Sequence, residues 1–258
     1  MMTRYSVWLN KNGLSEIDPS IIVLDIAYNA PRMQTVTAAR AKMPGVMVTK
    51  RQMQYASVTV TFEIHETSVR RRQMVLQKIQ QWAKKGGWLT TNDRPGQRLS
   101  VICDSMPTVT SALKWTEKMR LTFTAYERPH WEDEYAQRAS VSGTSGNASI
   151  YIGGVADEAP VSVNVTNTSG APVNSLTLTV GETMFAFKNL ALQAGEVLEI
   201  GYDEHANLYM RAGGESRMDR RTGESSDDLL AACGAHTWCS VAADNAVSAA
   251  FMARGLYM

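Results

Sequence analysis

The 258-residue chain carries 26 Lys and Arg against 25 Asp and Glu. That near balance excludes a dedicated nucleic-acid binder with a basic excess, and leaves only a local basic candidate at Arg70-Arg71-Arg72. With 44% hydrophobic and 20% charged residues the chain can bury the core of one large or two ordinary domains, which excludes overall disorder.

The opening residues lack the apolar stretch of a signal peptide, and no run reaches the roughly 20 apolar residues of a membrane span. The expectation is a chain made in a cytosol, with no membrane partner. The odd, sparse set Cys103, Cys233 and Cys239 is no disulfide framework and suits a reducing compartment.

In chain order, Ile21 to Ala27 reads as an edge or connecting strand. Ala56, Val58, Val60, Phe62 and Ile64 alternate with Ser57, Thr59, Thr61 and Glu63, the period of a half-buried strand. A helix follows, with Ser68 as N-cap. Val75, Leu76, Ile79, Trp82 and Ala83 fall on one helical stripe, so Val75, Ile79 and Trp82 are expected to pack on the sheet. Lys84 and Lys85 suit its C-terminus, and Gly86-Gly87 can supply the left-handed residue that ends it. Trp88–Thr91 and Leu99–Cys103 form a hairpin across the turn formers Asn92 to Gly96. Trp115 to Tyr126 is a further alternating strand, closed by Pro129-His130-Trp131.

Composition changes near residue 131. The acidic run Glu132-Asp133-Glu134 and the Gly/Ser-rich stretch Ser140 to Ser149 read as a linker over 132–148. The second half shows short β-rich runs at Ser149–Ile152, Val161–Thr166, Ser175–Val180, Met184–Lys188, Val197–Tyr202 and Leu208–Arg211, punctuated by turn residues. Such spacing suggests a sandwich. Gly213 to Gly234 reads as a long polar loop with a helical turn at Asp227 to Ala232, and Val241 to Met252 as a return to the sheet.

The order of these parts resembles the distal tail protein of long non-contractile-tailed phages. The resemblance rests on strand Ala56–Ile64, helix Ser68–Lys85 with Trp82, hairpin Trp88–Cys103, strand Trp115–Tyr126 and the Pro129-His130-Trp131 exit. In the second half it rests on Asn189 to Ile200, Tyr202-Asp203 and Arg254-Gly255, while Gly213 to Cys239 departs from the family's short hairpin. It implies a mainly β fold: an N-terminal β-barrel or split-barrel-like domain with one packed α-helix at 1–131, then a C-terminal galectin-like β-sandwich at 149–258. It also implies a homohexameric ring in the virion, at the distal tail tip of a siphovirus or prophage. The implied partners are the tail tube protein, a tail-tip or tail-associated protein and receptor-binding proteins, with DNA passing the channel without specific binding.

Other readings stand beside it. Arg70, Arg71 and Arg72 could contact a neighbouring subunit or DNA phosphates, and positive charge at a helix N-terminus calls for an acidic partner. Cys233, His236 and Cys239 offer three soft zinc ligands within seven residues, but a structural site wants four in paired spacings, and His205 would have to come from another turn. With His65, His130, His205 and His236 as the only histidines and no nucleophile elbow, phosphate loop or His-Glu-x-x-His, no enzyme and no cofactor are expected. Trp115, Trp131 and Trp238 could stack on sugars or serve as core or interface residues. The alternatives to a hub are therefore a carbohydrate-binding adhesin acting through the second domain, and a tail tube protein.

Overall fold

The computed structural model describes residues 5–39, 46–107, 118–203 and 207–258. It is mainly β and includes a curled, half-barrel sheet. The chain divides into two compact units, Met1–Glu132 with Met258, and Asp133–Tyr257.

The first unit contains β1 (Val7–Leu9), β2 (Asn12–Gly13), the short α1 (Leu14–Ile17), β3 (Ile21–Ala39), β4 (Val46–Ile64), α2 (Val69–Ala83), β5 (Gly87–Thr91), β6 (Gln97–Ser105), β7 (Met119–Ala125) and β8 (Trp131–Asp133). The sheet runs β2-β1-β5-β6-β7-β4-β3. Its inward face carries Val58, Val60, Phe62, Leu89, Leu99, Leu121 and Phe123, all buried, because alternate residues of each strand point to the same side.

Helix α2 covers that face. The Ser68 hydroxyl accepts from Arg71 N–H at its start. Gly86 and Gly87 follow its end with φ of 58° and 113°, values that a side chain disfavours. Its buried stripe is Val75, Leu76, Ile79, Trp82 and Ala83, joined by Arg72. The Trp82 ring meets Phe123 of β7 edge-on, with centroids 5.9 Å apart and an interplanar angle of 87°, a favoured aromatic geometry. Its Nε1–H donates to the Asn12 carbonyl at 2.9 Å, so the polar tip is satisfied where the ring is buried.

The second unit contains β9 (Gln137–Ile152), β10 (Glu158–Pro160), β11 (Ser162–Asn167), β12 (Leu176–Val180), β13 (Thr183–Phe187), β14 (Val197–Tyr202), β15 (Leu208–Ala212), β16 (Glu215–Ser216), β17 (Leu230–Ala232), β18 (Ala235–Ala253) and β19 (Leu256–Tyr257). Strand β18 pairs with β9 along its length. On its other edge it pairs with β12 at Cys239–Ala243 and with β11 at Val247–Met252. A register shift between Ala242 and Val247 separates the two halves. Both halves contribute to one apolar core, including Phe185, Phe187, Leu178, Val163, Leu198, Ile200 and Phe251.

Three sequence expectations are corrected. The expected linker at 132–148 is mostly strand: β9 begins at Gln137. Its Ser, Thr, Gly and Asn residues contribute little packing, and the strand is held by its backbone ladder to β18, with Ala139, Val141, Ile150 and Ile152 facing the core. The expected helical turn at Asp227–Ala232 is β17 over Leu230–Ala232, antiparallel to β10. The strands at Ile21–Ala27 and Ala56–Ile64 are the inner ends of 19-residue strands, β3 and β4, that continue outward as an arm.

Candidate assembly interface

The arm is the feature that composition concealed. β3 pairs with β4 from Ile21↔Ile64 out to Ala39↔Val46, whereas β7 pairs with β4 only from Ala56 to Phe62. Beyond Tyr55 the two strands are therefore each other's only ladder partners among the described residues. Arg32, Met33, Gln34, Thr35, Val36 and Thr37 are exposed along it. A lone two-stranded ribbon is marginal in water, and its outer edges present unpaired backbone groups to any further chain.

The base of the arm is fastened. Arg32 donates to the Tyr55 hydroxyl at 2.9 Å. The Tyr55 and Tyr126 rings lie 5.5 Å apart. Tyr126 donates its hydroxyl to Asp104 at 2.7 Å, a bond that raises the phenol's pKa by favouring its protonated form. Further out, the Gln54 side-chain amide donates to that of Gln34 at 2.7 Å. From Ile26 to Phe62 the sequence holds five cations (Arg32, Arg40, Lys42, Lys50, Arg51) and no Asp or Glu.

The three arginines of α2 are not one patch. Arg70 is exposed. Arg71 pairs with Glu66 of its own chain at 3.0 Å. Arg72 is 5% exposed and donates to the carbonyls of Glu66 and Thr67, bracing the turn before the helix. The expectation that Arg72 faces a neighbour is corrected, because position 72 lies on the same helical stripe as Val75, Ile79 and Trp82.

The acidic run is also not a solvated linker. Glu132 is buried against Arg98 at 2.6 Å, and Asp133 accepts from the Gly255 N–H at 3.1 Å.

Cys239 and His236 stand an odd number of residues apart on β18 and so face opposite sides. Cys239 is in the core, where burial pushes its thiol up to about 11. Among the described residues no His, Cys, Asp and Glu group could hold a metal ion; His205 and Trp115 lie outside them. Trp131 is buried, 5.6 Å from Tyr28. His65 meets Glu63 at 2.8 Å, and burial holds His130 below the usual imidazole range. His236 accepts or donates at Nδ1 to the Ser149 hydroxyl at 3.1 Å, but no carboxylate joins it among the described residues, so the pair lacks the orienting group of a nucleophilic site.

The sequence matches no protein-family model and no curated protein. Its fold is similar to the crystal structure of SPP1 Dit, described as a paradigm of the hub adsorption apparatus in phages infecting Gram-positive bacteria. The likeness has a TM-score of 0.71 and covers 98% of this chain and 99% of that one at 11% sequence identity. It is also similar to a chain of the phage p2 baseplate in its activated conformation with Sr, with a TM-score of 0.51, 97% of each chain covered and 10% identity. The resemblance read from the order of elements is therefore met in the architecture, and the chain has a Dit-like fold.

Proposed function

We propose that the chain is a structural tail protein: a hub at the distal end of a long non-contractile phage tail, joining the tail tube to the tip and its host-adhesion parts. The observation that carries this reading is the fold likeness to SPP1 Dit from end to end of both chains. In this reading six copies close into a ring through the first unit, and the second unit carries attachment to other tail-tip proteins. The galectin-like description of the second unit belongs to the same proposal, as does the division of labour between the two units.

The arm supports ring closure on physical grounds. Its open ladder edges invite pairing, and closed symmetry satisfies every edge without leaving a growing end. With five cations and no carboxylate between Ile26 and Phe62, the sequence of this region favours a partner rich in carboxylates, such as a neighbouring subunit or tail ring, so assembly should weaken at high salt. DNA would pass the channel without sequence-specific contact. Catalysis has no part in this reading. Native mass spectrometry across a concentration series tests it: the 28.4 kDa chain should assemble into a species six times its mass, and a dimer or trimer as the terminal species would reject the hexamer.

A further inference from the structure

We propose that the outward face of β9 and β18 is a binding platform for a short neutral saccharide, centred on Trp238. This goes beyond the hub reading and does not depend on it. Trp238 is 64% exposed in mid-strand, and Tyr151 is 51% exposed. Residues directly opposite in an antiparallel pair share a face, and the register sets Trp238 opposite Ser149, His236 opposite Tyr151 and Ser240 opposite Asn147. These six side chains therefore form one surface.

Two aromatic stations stand on it. One is the Trp238 indole. The other is the Tyr151–His236 pair, with ring centroids 5.1 Å apart and His236 oriented by its bond to the Ser149 hydroxyl at 3.1 Å. The stations are two residues apart along β18, a rise of about 6.7 Å, enough for consecutive pyranose rings to lie one over each. Ser240 and Asn147 border them with a hydroxyl and an amide, groups that both donate and accept.

The chemistry selects the ligand. No Asp, Glu, Lys or Arg occupies these registered positions, so phosphate, nucleic acid and acidic polymers find no counter-charge. A protein partner would be expected to meet a wider apolar centre than one indole set among small hydroxyl residues. An aromatic face ringed by hydrogen-bonding groups suits a sugar, which has apolar C–H faces and a hydroxyl rim.

The test uses the full chain on an array of neutral oligosaccharides, with chitotriose, maltotriose and lactose also titrated in solution. The Trp238 indole N–H resonance is assigned by its loss in Trp238→Phe. The expected result is retention of at least one neutral glycan, a shift of that resonance on binding, and binding weakened on the order of tenfold or more in Trp238→Ala. Asn147→Ala should weaken binding with an unchanged melting temperature. A blank array, binding unchanged in Trp238→Ala, or loss of a protein partner instead of a glycan in that variant would overturn the proposal. Since Trp238 is distant in sequence from the arm, a parent chain that assembles but gives a blank array fails this proposal alone, and one that binds glycan without assembling fails the hub reading alone.

Discussion

Arg98 and Glu132 form the tie between the hairpin and the last strand of the first unit. The guanidinium reaches the carboxylate at 2.6 Å, with side-chain exposures of 22% and 7%, while its flat face lies 3.8 Å from the Trp88 ring centroid. One planar cation thus stacks on β5 and bonds to β8 from its own position on β6. Glu132→Ala should cost about 1.5–3 kcal/mol, the usual loss for a hydrogen bond to a charged group that leaves its partner half-buried. Arg98→Lys should also destabilise, since an ammonium cannot stack and donate twice in one plane. Urea denaturation measures both, and an unchanged midpoint for either variant would remove this tie from the account.

Trp82 should be the costliest single truncation in α2. It fills the space above Phe123 and satisfies the Asn12 carbonyl at once. Trp82→Ala is expected to lose about 3–5 kcal/mol. Trp82→Phe should recover part of that loss, because it refills volume but leaves the carbonyl without its donor. Thermal melts of the three proteins should rank in that order.

The arm should be dispensable for folding and required for assembly. Joining Arg32 to Tyr55, which are paired in the ladder, by an Asn-Gly turn removes Met33 to Gln54 and keeps the hairpin register. Circular dichroism and melting temperature should stay near those of the parent, while the high-mass species disappears. Loss of folding would mean that the arm belongs to the core of the unit.

Much of this architecture was legible, and the parts that were not share a cause. Ala56 to Ile64 and the stripe from Val75 to Ala83 announce themselves because one face of each is apolar at the right period. Met33 to Thr37 and Gly143 to Ser149 do not, because both are strands held by backbone pairing with little side-chain burial. Strands of that kind carry no hydrophobic alternation for periodicity to detect. Arg72 is hard to place for the opposite reason: in a run of three arginines its charge suggests an exposed contact, while its helical phase with Val75 and Ile79 points inward. The Trp238 face became visible only through register, which sets Tyr151 and His236 opposite each other from 85 residues apart in a ladder that no local pattern encodes.

Asp18 should give part of the acid sensitivity. The Ser20 backbone N–H at 3.0 Å and hydroxyl at 2.8 Å donate to its carboxylate and hold its pKa below the usual range. A carboxylate depressed in the folded state adds stability that is complete above the unfolded value near 4 and is lost as pH falls through the lower folded value. Asp18→Asn should therefore melt lower than the parent at pH 7, and the gap should narrow as pH falls from about 5 to 3. A gap that stays constant over that range would contradict the assignment.

Closed sixfold assembly is tested by electron microscopy of the native tail, or of concentrated protein where the tail cannot be obtained. The expected result is a single closed ring of six copies at the distal end, with neighbouring subunits joined through the arm of β3 and β4 beyond Arg32 and Tyr55. A trimeric fibre built from this chain, or the same ring repeated along the length of the tube, would contradict it.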